Sequence, residues 1–331
     1  MCICIIQSYE LTHYLQQMCA SLKGADTLEL NDQGFVSLPA EFTIMSSLTK
    51  LSLNRNVLSS LPATISDLSS LSVFCVRNNR IILVPPELSL CVNMITLDLG
   101  QNLISRIPQE LCSLKRMRNM FLDYNRLIYV PAAIFGWHQL QVINLSNQRT
   151  LSSISLVLDA LQEEQLPPLR RGVVVKLPAP SFKQVQTFEA ASCSIDDIHI
   201  WLHNVASLQC LILPDNKLKQ LPTTMDMWPM LQIIDVRHNE VQSLPTSIGN
   251  CTNVVTLLLD DNKLSQLPSG LTNLNALSQL GLSYNLLSEV PFSFRRFTNM
   301  TILRISNNPF RALPAGIGVL KNLECDVARV W

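Results

Sequence analysis

The sequence is short of charge. Only 15% of its 331 residues are Asp, Glu, Lys or Arg, against about 25% in an average soluble protein. The 25 cations offset 25 anions. Without a basic face there is no electrostatic case for nucleic acid, whose phosphates require one, nor for a polybasic hold on a membrane. Long apolar runs are missing too: they end near half a dozen residues, far from the roughly 18 that span a bilayer. Met1-Cys2-Ile3-Cys4-Ile5-Ile6 has no basic segment, and Glu10 and His13 soon interrupt it, which argues against a secretory signal. No phosphate loop, Gly-x-Ser-x-Gly elbow or kinase signature occurs. No catalytic residue and no cofactor are therefore expected.

What is present is repetition. Asparagine recurs at Asn56, Asn79, Asn102 and Asn125, then at Asn216, Asn239, Asn262, Asn285 and Asn308, each series in steps of 23. Gln33 and Gln148 extend the first series, and Cys193 extends the second backwards. Leu48-x-x-Leu51-x-Leu53-x-x-Asn56-x-Leu58 is one full phrase, and Leu208-x-x-Leu211-x-Leu213-x-x-Asn216-x-Leu218 another. This is the leucine-rich-repeat pattern, with roughly a dozen copies along the chain. The middle leucines alternate as in a short strand, pointing inward while their neighbours point out. The asparagine follows, where its amide can satisfy buried backbone groups of adjacent coils. An unpaired group there costs about 1–3 kcal/mol. Gln33 and Gln148 suit that slot less well, so their coils should be looser.

A second phrase lies five residues beyond each asparagine, as in Leu61-Pro62, Val84-Pro85, Ile107-Pro108, Leu244-Pro245 and Leu267-Pro268. Proline fixes φ and lacks a donor, which suits the start of a short helical or 3₁₀ return. The expected fold is α/β: a leucine-rich-repeat solenoid, a curved horseshoe with a parallel sheet on its concave face and short helical or 3₁₀ segments on the convex one. Residues 1–24 place Ile6, Tyr14, Met18 and Leu22 near helical spacing and are read as an N-terminal capping helix. The first repeat block covers 25–148 and the second 183–323. Between them, 149–182 keeps neither phase, and Cys193 lies 45 residues after Gln148, one short of two periods. The stretch is either one deformed coil or an insertion. The deformed coil is favoured, because an open gap would expose two solenoid ends. Residues 324–331 form a tail.

The ten cysteines are scattered through the coils. Cys91 and Cys251 fall just before consensus apolar positions, Cys75 and Cys210 at outward strand positions. Extracellular repeat domains cluster cysteines at both ends, so this distribution indicates reduced thiols and a cytoplasmic location. Cys2 and Cys4 could accept palmitate, but an apolar start to the cap accounts for them. Asp196, His199 and His203 share a helical spacing suited to a metal. His199, however, occupies the usual proline slot and no further strong ligand accompanies the pair, so no metal is expected. The triplets at Asn144, Asn250 and Asn299 match the glycosylation pattern as chance would supply in an Asn- and Ser-rich chain.

Candidate binding residues come from the outward strand columns, which stack in ladders about 4.8 Å apart. Arg55, Arg77, Asp98, Phe121, Asp123 and Tyr124 fall together across four coils. Asp235, Arg237, His238, Leu258, Asp260, Asp261, Tyr284 and Arg304 fall together across another four. Aromatics and arginine amid acids are what binding hot spots favour.

The 23-residue repeat with Leu244-Pro245-Thr246-Ser247-Ile248 resembles the Ras-group class of intracellular leucine-rich-repeat proteins, over nearly the whole chain. The resemblance implies a signalling solenoid whose partners include small GTPases and phosphatase catalytic subunits. The chain lacks the basic-Val-x-Phe phosphatase-docking motif. The expected function is a non-catalytic scaffold or adaptor that binds a protein on its concave face, with no nucleic acid and no membrane span. The alternative is a substrate-recognition arm of a larger kinase, cyclase or ubiquitin-ligase system.

Overall fold

A computed structural model describes residues 25–38, 45–127, 137–148, 184–198, 205–290, 294–312 and 315–323. The expected cap (1–24) and tail (324–331), Cys2, Cys4, His199 and His203 lie outside them, as does all of 149–182. The chain divides into two compact units, whose described parts are residues 25–144 and 145–323.

Each unit is a stack of parallel three-residue strands taken in chain order. The first holds β1 (Thr27–Glu29), β2 (Lys50–Ser52), β3 (Val73–Cys75), β4 (Thr96–Asp98), β5 (Asn119–Phe121) and β6 (Val142–Asn144). The second holds β7 (Thr187–Glu189), β8 (Cys210–Ile212), β9 (Ile233–Asp235), β10 (Thr256–Leu258), β11 (Gln279–Gly281) and β12 (Ile302–Arg304). The repeat period is the strand register: Leu51 pairs with Phe74, Phe74 with Leu97, Leu257 with Leu280. The middle residue of each strand is buried and its neighbours face outward, the alternation that a half-buried strand requires. This is a leucine-rich-repeat solenoid.

The returns are 3₁₀ turns. Pro62, Pro85, Pro108, Pro245 and Pro268 stand immediately before the turns Ala63–Asp67, Pro86–Leu90, Gln109–Ser113, Thr246–Asn250 and Ser269–Asn273. Proline's locked φ and missing donor fit this entry, where an N–H would have no partner within the turn. Each turn buries one apolar side chain against the strands, Ile65, Leu88, Leu111, Ile248 or Leu271. The residue closing the turn forms the rear wall of the core. There the structure corrects the sequence reading, because Cys91 and Cys251 occupy this consensus apolar position rather than preceding it. Their column runs Met45, Leu68, Cys91, Leu114, Trp137 in the first block and Val205, Trp228, Cys251, Leu274, Phe297 in the second, all buried.

The nine asparagines perform one task nine times. The Asn79 Nδ2 donates to Leu53 O and Val76 O at 3.0 Å each, and its Oδ1 accepts from Leu58 N–H at 3.0 Å. Asn262 repeats this with Val236 O, Leu259 O and Val241 N–H. Each amide therefore ties its own coil to the preceding one. Cys193 substitutes with its thiol, which donates to Leu145 O at 3.1 Å. Gln33 is exposed and folds back on Asn31 O at 2.8 Å, outside the ladder. Gln148 is buried in its slot, its amide reaching Ser146 O at 3.4 Å.

The residue before each asparagine turns left-handed. Arg55, Asn78, Gln101, Tyr124, Asp215, His238, Asp261, Tyr284 and Asn307 all have φ between 54° and 57°. This turn lets the amide N–H reach the next coil, as in Tyr284 N–H to Ser306 O at 2.9 Å, and lifts the side chain out of the strand.

Leu145 N–H bonds directly to Glu189 O at 2.7 Å, and Asn147 N–H to Ala191 O at 2.6 Å. Residues 145–147 and 189–191 are thus adjacent rungs with none between them.

Candidate functional site

Sequence columns become physical columns on the outward face of each unit. In the first, charge is settled internally. The Arg77 guanidinium reaches two coils forward and grips both oxygens of Asp123, one contact at 2.9 Å, while touching Asp98 at 3.5 Å. Gly100 makes this reach feasible: a Cβ there would lie 2.3 Å from the Arg77 Nη1 and 2.8 Å from the Asp123 Oδ1. The hydrogen bond to Asp123 raises the Arg77 pKa further. Asp98 goes the other way from an ordinary ion-paired carboxyl: burial pushes its pKa up, outweighing the help of Gly100 N–H and Arg77. Asp123 itself is buried while Arg77 stays part-exposed, so breaking this clasp would strand a buried carboxylate.

Arg55 is not part of that cluster. It forms a two-point bridge with Asp32, both contacts at 2.6 Å, in an exposed position. That hydrogen bond holds the Asp32 carboxyl below its usual range. Phe121 pairs in register with Asp98 and is half-buried. Tyr124 stands beyond it at 54% exposure, on a left-handed residue.

In the second unit the pairing is less complete. Arg237 bonds to Asp235 on its own strand, at 2.9 and 2.7 Å. The His238 Nδ1 meets the Asp261 Oδ2 at 2.8 Å. Asp260 is buried at 9% exposure and accepts Ser283 N–H on Oδ1 at 2.9 Å. Its Oδ2 is buried without a hydrogen-bond partner, one of two such side-chain atoms among the described residues, the other being the Thr64 Oγ1. Burial raises the Asp260 pKa, offset in part by Ser283 N–H and by Arg304 and Arg237 at a distance. Leu258, Gly281 and Arg304 form one column through adjacent rungs. Tyr284 is 61% exposed at its end of the face.

The proposed residues therefore fall into three groups. Arg77, Asp98 and Asp123 come together, as do Arg237 with Asp235 and His238 with Asp261. Arg55 is drawn away to Asp32. Tyr124, Tyr284 and Arg304 make no side-chain bond to the others. Gly100 and Gly281 were not singled out by sequence reasoning, yet each decides how charges one or two coils away can lie. A glycine in an outward column with charged residues a period or two away in sequence is the signal that would have found them.

Among the described residues no group of three or more His, Cys, Asp or Glu is placed to hold a metal, and no helix is long and apolar enough to cross a membrane. The six described cysteines are free thiols. Burial pushes Cys91, Cys193 and Cys251 up to about 11, which leaves them protonated and unreactive near neutrality.

No family model matches the chain, and no curated protein matches it. Solved structures do. The leucine-rich-repeat protein LIC12759 of Leptospira interrogans is 23% identical with a TM-score of 0.72, over 93% of this chain and 85% of that one. An internalin, inlF of Listeria monocytogenes, is 16% identical with a TM-score of 0.70, over 95% and 92%. A third, the structure of PEPR1-AtPEP1, is 23% identical with a TM-score of 0.69, over 88% of this chain and 40% of that one. These likenesses establish the fold alone.

Proposed function

We propose that this chain is a non-catalytic binding scaffold that holds a protein partner on its outward strand face, with the second unit as the principal contact. The observation that carries this reading is the placement of the two tyrosines. Tyr124 and Tyr284 occupy left-handed positions at φ 54° and 55° and stand largely exposed. Such a backbone costs a non-glycine residue about 1–2 kcal/mol. The turn itself recurs once per coil; what sets these two positions apart is a bulky aromatic held open to solvent, the side-chain type that interface hot spots favour. Beside Tyr284, the paired His238 and Asp261 and the paired Arg237 and Asp235 provide fixed polar groups, the mixture from which interface hot spots are made.

The fold neighbours support the reading, since structures of that kind include the plant peptide hormone receptor RGFR1 in complex with RGF2 and FLRT2 in a complex with Latrophilin 3 and Unc5D. The finer assignment, an intracellular adaptor in small-GTPase-type signalling, rests on the Leu-Pro-x-x-Ile repeat and the scattered reduced thiols. The test is capture from native extract with wild-type protein and a His238→Ala, Tyr284→Ala double variant whose melting is unchanged. A partner recovered by the wild type and lost by the variant is expected. Equal recovery would overturn the assignment of this face.

A further inference from the structure

We infer that Asp260, with the bare backbone of Gly281 beneath it, is a socket for one lysine side chain of the partner; this rests on the reading of the strand face as a protein-binding surface. Three observations converge there. The Asp260 Oδ2 is buried and unpartnered in a residue 9% exposed, and a buried acceptor left unpaired is costly enough that one retained in a fold calls for an explanation. The carboxylate lies over Gly281, where a Cβ would come within 2.1 Å of Oδ2. Any other residue at 281 would expel it. Finally, the nearest cations leave it unserved. Arg237 is taken by Asp235, and Arg304, on the rung beyond Gly281, acts on Asp260 only through space.

In the first unit an arginine closes across a glycine onto a buried carboxylate, Arg77 onto Asp123 over Gly100. Over Gly281 the Asp260 Oδ2 receives no such partner, although Arg304 stands on the next rung. The face around it is acidic: Asp215, Asp235, Asp260 and Asp261 outnumber Arg237 and Arg304. An incoming cation is therefore drawn to it. Lysine fits better than arginine because Ser283 N–H already holds Oδ1. One acceptor remains, which matches the point charge of an ammonium and not the two-point fork of a guanidinium. Leu258, in register with Gly281 and half-buried, offers apolar surface to the lysine stem. Entry requires a small rotation of the carboxylate, which the single Ser283 bond opposes.

The test is a phage-displayed library of random dodecapeptides panned against the wild type, Asp260→Asn and Arg304→Gln, each verified as folded by its melting curve. The wild type should enrich peptides with lysine at one fixed place. Replacing that lysine by norleucine, or Asp260 by Asn, should weaken binding at least tenfold, whereas Arg304→Gln, which removes a competing cation, should strengthen it. Asp260→Asn should also melt higher than the wild type, since it relieves the unpaired carboxylate; a residue with a merely structural role would melt lower. Peptides without lysine that still depend on His238 and Tyr284 would overturn the socket and leave the proposed function standing. Enrichment of arginine alone would overturn the single-donor geometry. A library yielding no peptide that depends on Asp260, His238 or Tyr284 would overturn both.

Discussion

Replacing Asn262 by alanine tests the asparagine ladder at a buried position in the second unit. The amide donates to Val236 O at 2.9 Å and to Leu259 O at 3.1 Å, and accepts from Val241 N–H at 2.9 Å. These losses are unequal. Val236 O also accepts from Asn239, and Leu259 O from Asn285, so both carbonyls keep one partner after truncation. Val241 N–H has no substitute and lies in the interior. One orphaned donor costs about 1–3 kcal/mol, and two half-relieved carbonyls add a few tenths each, for a total of about 2–4 kcal/mol. Asn308 makes the same bonds near the end of the array but is half-exposed, so water can replace its amide. Asn308→Ala should cost about 1 kcal/mol. Asn262→Asp should be worse than alanine, because it keeps the acceptor while setting a carboxylate against two carbonyls. Urea unfolding, with the transition of the second unit analysed separately if the units melt apart, gives the three values. If Asn262→Ala costs no more than Asn308→Ala, the ladder is not what joins the coils.

Leu257→Ala should cost about 2–5 kcal/mol through lost burial and the cavity it leaves, since Leu257 is fully buried; urea midpoints check this. For Asp260 the sign follows from burial, which raises its folded pKa above the ordinary 3.8. The folded protein then holds a proton that the unfolded chain has released, so wild-type stability falls as pH rises above about 3.8. The melting advantage of Asp260→Asn should therefore be near zero at pH 3.5 and grow towards pH 7, and an advantage that shrinks would refute it. Gly100→Ala should open the Arg77–Asp123 clasp and cost about 2–4 kcal/mol by stranding a buried carboxylate, measurable as a lower melting temperature. Tyr284→Gly should relieve about 1–2 kcal/mol of left-handed strain against a chain-entropy loss of about 0.5–1 kcal/mol. It should melt slightly higher than the wild type, while Tyr284→Ala should melt unchanged.

The solenoid was legible because its cause is periodic. A step of 23 between Asn56 and Asn79 is the same fact as the pairing of Leu51 with Phe74, and the proline phrase marks the start of each 3₁₀ return. An error arose where Cys91 and Cys251 were set just before consensus apolar positions, whereas they fill a buried column of their own. The outward columns were legible as columns, but their chemistry was not. Side chains on this face reach one or two coils away, so Arg77 finds Asp123 at a separation of 46 residues, while Arg55 turns back to Asp32. Which partner an arginine takes depends on whether a side chain blocks its path, and only the three-dimensional register shows that Gly100 leaves the path clear.

That dependence also explains how a chain so poor in charge can carry a specific surface. The joints between coils are made by neutral amides, so the few outward charges are not needed to hold the array together. Where a charge is nonetheless buried, it is closed by an arginine, as at Asp123 and Asp235, or left with an unpartnered oxygen, as at Asp260. A closed pair contributes rigidity and offers little to a ligand, because breaking it would strand a carboxylate in the interior. An open one destabilises the free protein and is satisfied only on binding, so its cost is recovered as affinity. The first unit, whose lysine and arginines at 50, 55 and 77 all have acidic partners, is accordingly the firmer of the two faces, and the second, with Asp260 unpaired beside an exposed tyrosine, the more adhesive.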